Sequence, residues 1–133
     1  MGTGVHDFRD LVCWRLCNEL KREILKLTDA LPASRDFTYR DQVRDSSASA
    51  AANIAEGFGY YRPRQVARFL SYARASIVET MNHLADGRDR GYIDDECYSR
   101  LMNLSRAAKN TTTKLMLAKQ RQADKEETRD RRQ

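Results

Sequence analysis

The stretch Ser49-Ala-Ala-Ala-Asn-Ile-Ala-Glu-Gly-Phe-Gly59 decides the fold of this chain. Its alanines favour a helix, and its short side chains let neighbouring helices come close. Asn53 and Glu56 lie one turn apart, so we expect them to share a face and one hydrogen-bond network, with donors such as Arg44. Gly57 is expected to end the helix in the left-handed conformation. We interpret four residues as a structural motif: Ser49, Asn53, Glu56 and Gly57.

Helical patterns continue toward the N-terminus of this stretch. A first helix is predicted from about Asp7 to Leu31, because apolar residues recur there at steps of four and three and Pro32 then stops the helix. The alanine-rich helix is predicted to begin near Thr38, where Thr38 and Asp41 resemble a capping box. Both helices would pack side by side.

Two more helices follow toward the C-terminus. Pro63 suits the first turn of a third helix, which should finish at Gly87 or just after, and Asp94 suits the cap of a fourth. Apolar periodicity is lost after about residue 120. The sequence therefore predicts an all-α, up-down-up-down four-helix bundle over residues 1–119. Residues 120–133 are predicted to be a charged tail, as a frayed helical end or a disordered segment.

Composition limits the class of protein. The chain has 133 residues, of which 41% are hydrophobic and 32% charged, which is typical of one soluble, helix-rich domain. Charges interrupt every window long enough to span a membrane, and the first residues lack the pattern of a signal peptide. A cytoplasmic location is the expectation.

The three cysteines are expected to be reduced thiols. Cys13 and Cys17 are one helical turn apart, as metal ligands can be, and Cys97 with a histidine could complete such a site. Burial on the apolar stripe of the first helix fits Cys13 and Cys17 better. We therefore predict no metal site and no cofactor.

Motifs for catalysis are weak in this sequence. There is no local arrangement of a nucleophile with a base, and the glycines lack the spacing of a phosphate-binding loop. Glu79 and His83 are one turn apart and could act together, although such pairs are more often surface or interface contacts. We predict that the chain is not an enzyme.

A basic surface is the stronger functional signal. The net charge is +5, and residues 58–91 hold six arginines against three acidic residues. Tyrosines 60, 61 and 72 lie among the arginines, and tyrosine rings can stack on unpaired bases. The predicted nucleic-acid-binding residues are Arg62, Arg64, Arg68 and Arg74. Alternatively, these are ordinary solvated arginines beside tyrosines of a subunit contact.

Taken together, the motifs resemble the bacterial four-helix-bundle proteins encoded in intervening sequences of 23S ribosomal RNA genes. The resemblance covers roughly residues 8–118 and is most specific in the block Asn53-Ile-Ala-Glu-Gly57. Other matching positions are Phe8, Leu11, Trp14, Leu31-Pro32, Gln42-Val-Arg44, Ser49, Phe58, Phe69-Leu70, Ala73, Ser76, Glu79, Leu84 and Gly91-Tyr92-Ile93. Ala51 stands where the family often has a proline, and Ala75 stands where it often has a glycine. These two differences affect the local backbone shape more than the chemistry.

The resemblance implies a ring-shaped oligomer, a homopentamer. A related branch is the accessory protein of diversity-generating retroelements, which works with a reverse transcriptase and binds nucleic acid. Our hypothesis is a non-catalytic oligomeric assembly protein that binds RNA or a ribonucleoprotein partner through arginines of the third helix. The alternative is a purely structural or protein-binding oligomer without a nucleic-acid role.

Overall fold

A computed structural model describes residues 5–132 of the chain. Within this range there are no strands, and four α-helices carry the fold. The four helices are α1 (Val12–Asp29), α2 (Phe37–Phe58), α3 (Pro63–Asp89) and α4 (Asp95–Arg131). Each of α1 and α3 packs against both α2 and α4, so helices adjacent in sequence are neighbours in space. The predicted four-helix bundle is confirmed.

The first helix begins later than predicted. Asp7 does not start α1; its carboxylate instead accepts a hydrogen bond from the Arg9 amide and caps a 3-10 turn over Phe8–Asp10. The Asp10 carboxylate in turn accepts from the Asp7 amide. This reciprocal capping satisfies the amides locally and lets the chain change direction before α1. Pro32 lies beyond the last residue of α1, as expected.

The second helix differs from its prediction at both ends. Asp36 is the N-terminal cap, with its carboxylate accepting from the Tyr39 amide, so Thr38 and Asp41 do not form the cap. Gly57 does not end the helix in the left-handed conformation, because it is a buried residue inside α2. A Cβ atom at Gly57 would lie 2.8 Å from the Cβ of Phe69. The glycine is needed for the close approach of α3, not for a turn.

The ends of α3 and the start of α4 follow the sequence signals. Pro63 occupies the first turn of α3, and the Asp94 carboxylate accepts from the Cys97 amide at the start of α4. The connection between them turns at Gly91, which has a φ of 79°. This left-handed backbone favours glycine.

The charged tail is a helix. Residues 120–131, expected to be frayed or disordered, continue α4 without interruption to Arg131. Ala123 is only 3% exposed there. Arg64 of α3 forms salt bridges with Asp124 and Glu127. These contacts hold the segment against α3, although it lacks the apolar stripe that identifies a packed helix in sequence.

The core has two parts, one toward each end of the bundle. The alanine end contains mostly small side chains around a few large ones: Cys13, Cys17, Ala50, Ala51, Ile54, Val66, Leu70, Ala73, Ile77 and Ala108. The tyrosine end contains larger ones: Leu20, Ile24, Ala33, Tyr39, Val43, Leu84, Ile93, Leu101 and Met102. The loop from α2 to α3 lies at the alanine end, and the loop from α3 to α4 lies at the tyrosine end.

Candidate nucleic-acid interface

Three of the four predicted arginines lie at the start of α3. Arg62 precedes the helix with an extended backbone (φ −79°, ψ 129°), and its side chain is exposed. Arg64 and Arg68 are both exposed and line the same shallow cleft, together with Gln120 of α4. Arg74 lies farther along α3 and is half-buried. The structure thus places Arg62, Arg64 and Arg68 together, with Arg74 apart.

Two of the four arginines are engaged with α4. The Nη2 of Arg64 lies 2.9 Å from Asp124 Oδ1, and its Nε lies 2.7 Å from Glu127 Oε1. The hydrogen bonds to Asp124 and then to Glu127 raise the pKa of Arg64. The Nε of Arg74 donates to Thr113 Oγ1 at 2.9 Å. The charge of Arg64 is offset by two carboxylates, which weakens the patch that the sequence predicted.

Arg62 and Arg68 keep their charge available. Within residues 5–132, neither side chain forms a salt bridge. Both are exposed at the start of α3, on either side of the paired Arg64. They are the residues of this surface best placed to contact a phosphate group.

An aromatic platform lies beside these arginines. The ring of Tyr60 stacks on that of Phe69 with centroids 5.0 Å apart, and Phe69 meets Tyr72 edge-on at 5.7 Å. Tyr61 is 99% exposed. Phe69 is half-buried and packs over Gly57 of α2. Exposed aromatic faces are the groups on which unpaired bases stack.

The structural motif of α2 forms hydrogen bonds with α3 through hydroxyl groups. Asn53 Nδ2 donates to the carbonyl of Ser49 at 2.9 Å and lies 3.1 Å from its Oγ. The Ser49 Oγ lies 3.0 Å from Ser76 Oγ of α3. The Thr80 hydroxyl donates to the Ser76 carbonyl and also contacts Ser46 Oγ at 2.8 Å. A row of hydroxyl groups therefore joins α2 to α3.

Glu56 does not share the network predicted for it. Its side chain is exposed, whereas Asn53 is half-buried. Arg44, the expected donor, instead binds Thr28 Oγ1 and Asp29 Oδ1 of α1, each at 2.7 Å. Although Asn53 and Glu56 lie one turn apart on α2, the side-chain hydrogen bonds of Asn53 go to Ser49 and not to a network that includes Glu56.

Cys13, Cys17 and the Nε2 of His83 are enclosed by the bundle, whereas Cys97 is half-buried. Cys13 and Cys17 are buried in the core, and burial raises the pKa of Cys17 to about 12. His83 Nε2 is buried without a hydrogen bond and lies 3.7 Å from Glu79 Oε1. Across residues 5–132, no cluster of three or more metal-ligating side chains occurs. No helix in that range combines the length and apolarity needed to cross a membrane.

The acidic partners of Arg64 are what sequence reasoning missed. In an antiparallel pair joined by a short connection, residue 64 of α3 lies level with about residue 120 of α4. Asp124 and Glu127 lie one turn apart in that region, and Ala123 is a small apolar residue beside them. This spacing was the available signal, and it was overlooked because residues 120–133 were expected to be a frayed helical end or a disordered segment.

Comparison with known protein families identifies a match. A family model described as 23S rRNA-intervening sequence protein matches residues 9–114. No curated protein matches the chain. Since the family model covers most of the chain, the protein belongs to the 23S rRNA-intervening sequence protein family.

Proposed function

We propose that this family member is a non-catalytic oligomeric assembly protein that binds RNA weakly, through Arg62 and Arg68 at the start of α3. The observation that carries the proposal is that the exposed Arg68 lies one helical turn before Tyr72 of the aromatic platform, while the exposed Arg62 follows Tyr60 and Tyr61 in the loop that leads to α3. Arginines supply phosphate contacts, and aromatic rings supply base stacking. Single-stranded RNA offers both groups at once.

The remaining two predicted arginines have supporting roles in this proposal. Arg64 is held by Asp124 and Glu127 and fixes the C-terminal part of α4 next to the surface. Arg74 is bound to Thr113. With two arginines contributing fully, the binding is weak and strongly dependent on salt, because each phosphate contact releases counterions.

The non-catalytic part of the proposal is supported by the state of the reactive groups. The thiol of Cys17 has its pKa raised to about 12 by burial, so it is protonated at neutral pH and a poor nucleophile. The Nε2 of His83 is enclosed by protein. A substrate therefore cannot reach either group without local opening of the bundle.

Titration of a mixed single-stranded RNA pool over a salt series tests the proposal. The double variant Arg62→Ala/Arg68→Ala should bind several-fold more weakly, and the slope of log affinity against log salt should fall by about 0.7 per lost phosphate contact. Arg22→Ala/Arg106→Ala is the matched control, because it removes two exposed arginines from α1 and α4. Equal binding by both double variants, or no binding by the parent at low salt, would refute the RNA role.

The alternative function is a purely structural or protein-binding oligomer. It is favoured by apolar side chains that remain exposed on a single chain, with Val12 at 59%, Val78 at 45% and Leu117 at 43%. Exposed apolar groups are typical of contact surfaces when they are contiguous. Sedimentation of the parent chain measures the oligomer, and a ring of five copies is the state that the family resemblance favours.

The setting of the proposed function follows from the same resemblance. The related accessory protein of diversity-generating retroelements works with a reverse transcriptase. By analogy, the proposed partner of this chain is a ribonucleoprotein, such as a reverse transcriptase with its RNA. A cytoplasmic location is part of the proposal, and the free state of the three cysteines fits a reducing compartment.

A further inference from the structure

A pocket of about 380 Å³ opens at the alanine end of the bundle. All four helices or their immediate flanks contribute to it. Ile54 and Leu70, which are 0% and 1% exposed, line its deep part. Leu11 and Leu115 line it from α1 and α4. Its volume lies in the lower part of the range of about 300–1,000 Å³ that is typical of small-molecule sites.

Among the described residues that line this pocket, Lys119 is the only one with a cationic side chain. Lys119 lies one turn beyond Leu115 on the same face of α4 and lines the pocket with it. Within residues 5–132, the Lys119 ammonium forms no salt bridge or side-chain hydrogen bond. Tyr60 and Tyr61 line the same pocket, and Tyr61 is 99% exposed, so the open side faces solvent near the loop from α2 to α3.

We propose that this pocket binds a small monocarboxylate with an apolar body, with the carboxylate on Lys119. Apolar walls fit a hydrocarbon or aromatic body, and a charged hydrogen bond to the ammonium fixes the orientation of the ligand. A single ammonium balances a single negative charge, whereas a phosphate ester carries up to about two. The pocket shares Tyr60 with the aromatic platform of the proposed RNA surface, but Lys119 is not one of the arginines of that surface, so variants of Lys119 and of Arg62 with Arg68 test the two proposals separately.

Calorimetric titration with octanoate, octanol and octylamine tests the ligand class. These three probes share one apolar chain and differ in charge, so the parent chain should bind octanoate most tightly and octylamine least. Equal affinity for the three probes, or no binding of octanoate, would overturn the proposal.

The variant Lys119→Met tests the residue. It should lower octanoate affinity about tenfold while leaving octanol affinity unchanged, because only the charged hydrogen bond is lost. Retained octanol binding also shows that the variant is folded. Lys109→Met is the matched control, since Lys109 is a half-buried lysine of α4 outside the pocket. The same octanoate affinity in both variants would contradict the proposal.

Discussion

The two ends of the bundle are built in different ways. At the tyrosine end, polar contacts cross between elements: the Tyr39 hydroxyl donates to the His83 carbonyl at 2.9 Å, and the Tyr92 hydroxyl donates to the Asp36 carboxylate at 2.6 Å. Arg90 adds a salt bridge to Asp36. This end is closed by large side chains and by hydrogen bonds from buried or half-buried groups.

The alanine end is open by comparison. Small residues fill its core, a pocket penetrates to Ile54 and Leu70, and Tyr61, Arg62 and Arg68 project into solvent. The closed tyrosine end therefore provides stabilising contacts, while both proposed binding sites lie at the open alanine end. Regions with fewer buried contacts open more easily, and binding surfaces are commonly found there.

Equivalent core truncations should give the largest contrast between the ends. Leu84→Ala at the tyrosine end should lower the free energy of unfolding by about 4 kcal/mol, because the closed site cannot collapse around the cavity. Leu70→Ala at the alanine end should cost about 2 kcal/mol, since Leu70 already borders a pocket. Chemical denaturation measures both values. A larger loss for Leu70→Ala would mean that the ends have been assigned the wrong way round.

The close approach of α2 and α3 gives the next effect. Gly57→Ala should cost about 2 kcal/mol, because the new Cβ would lie 2.8 Å from the Cβ of Phe69, which is fixed to the α3 backbone. Gly59→Ala is the control: Gly59 is exposed, has an ordinary φ of −73°, and a Cβ there would meet only the Glu56 carbonyl at 3.2 Å, so its replacement should cost clearly less than that of Gly57. Thermal melts of the two variants decide whether packing or helix termination explains Gly57.

The hydroxyl row between α2 and α3 gives a smaller effect. Asn53→Ala should cost about 1 kcal/mol, since it removes the hydrogen bonds to Ser49. Glu56→Ala should change the unfolding free energy of the chain by less than about 0.5 kcal/mol, because the side chain is exposed. If Glu56→Ala destabilised the protein as much as Asn53→Ala, Glu56 would be buried in an assembly, and sedimentation of the variant would then show dissociation.

The smallest expected effect is a pH dependence at the tyrosine end. The hydrogen bond from Tyr92, followed by that from the Tyr39 amide, lowers the pKa of Asp36. A lowered folded-state pKa contributes stability that is present above the unfolded value of about 3.9 and lost as pH falls through the folded value. Asp36→Asn should therefore flatten the acid limb of melting temperature against pH, whereas Asp45→Asn, at an exposed position of α2, should not.

The sequence predicted those parts of the fold that depend on local signals. Pro63 and Asp94 mark helix starts because a first-turn proline and a capping carboxylate act on nearby backbone groups. Gly57 was misinterpreted because the residue that requires a glycine there, Phe69, lies on another helix. A glycine needed for helix packing and a glycine needed for a turn cannot be distinguished from the local sequence.

The candidate site was predicted less well for the same physical reason. The four arginines were selected from charge and spacing, but the partners of Arg64 lie on α4, 60 and 63 residues away in sequence. The end of α4 has no apolar stripe, and Arg64 with Ala123 holds it in place. The pocket forms where residues from all four helices or their flanks come together. No single segment of the sequence therefore indicates it.

Ultraviolet cross-linking of the RNA pool, with the attached residues identified by mass spectrometry, tests the separation of the two ends most directly. The account predicts adducts at Tyr60, Tyr61 and Tyr72, and their loss in the Arg62→Ala/Arg68→Ala variant. Adducts at Tyr92 or Tyr98, at the tyrosine end, with none between residues 58 and 72, would contradict it.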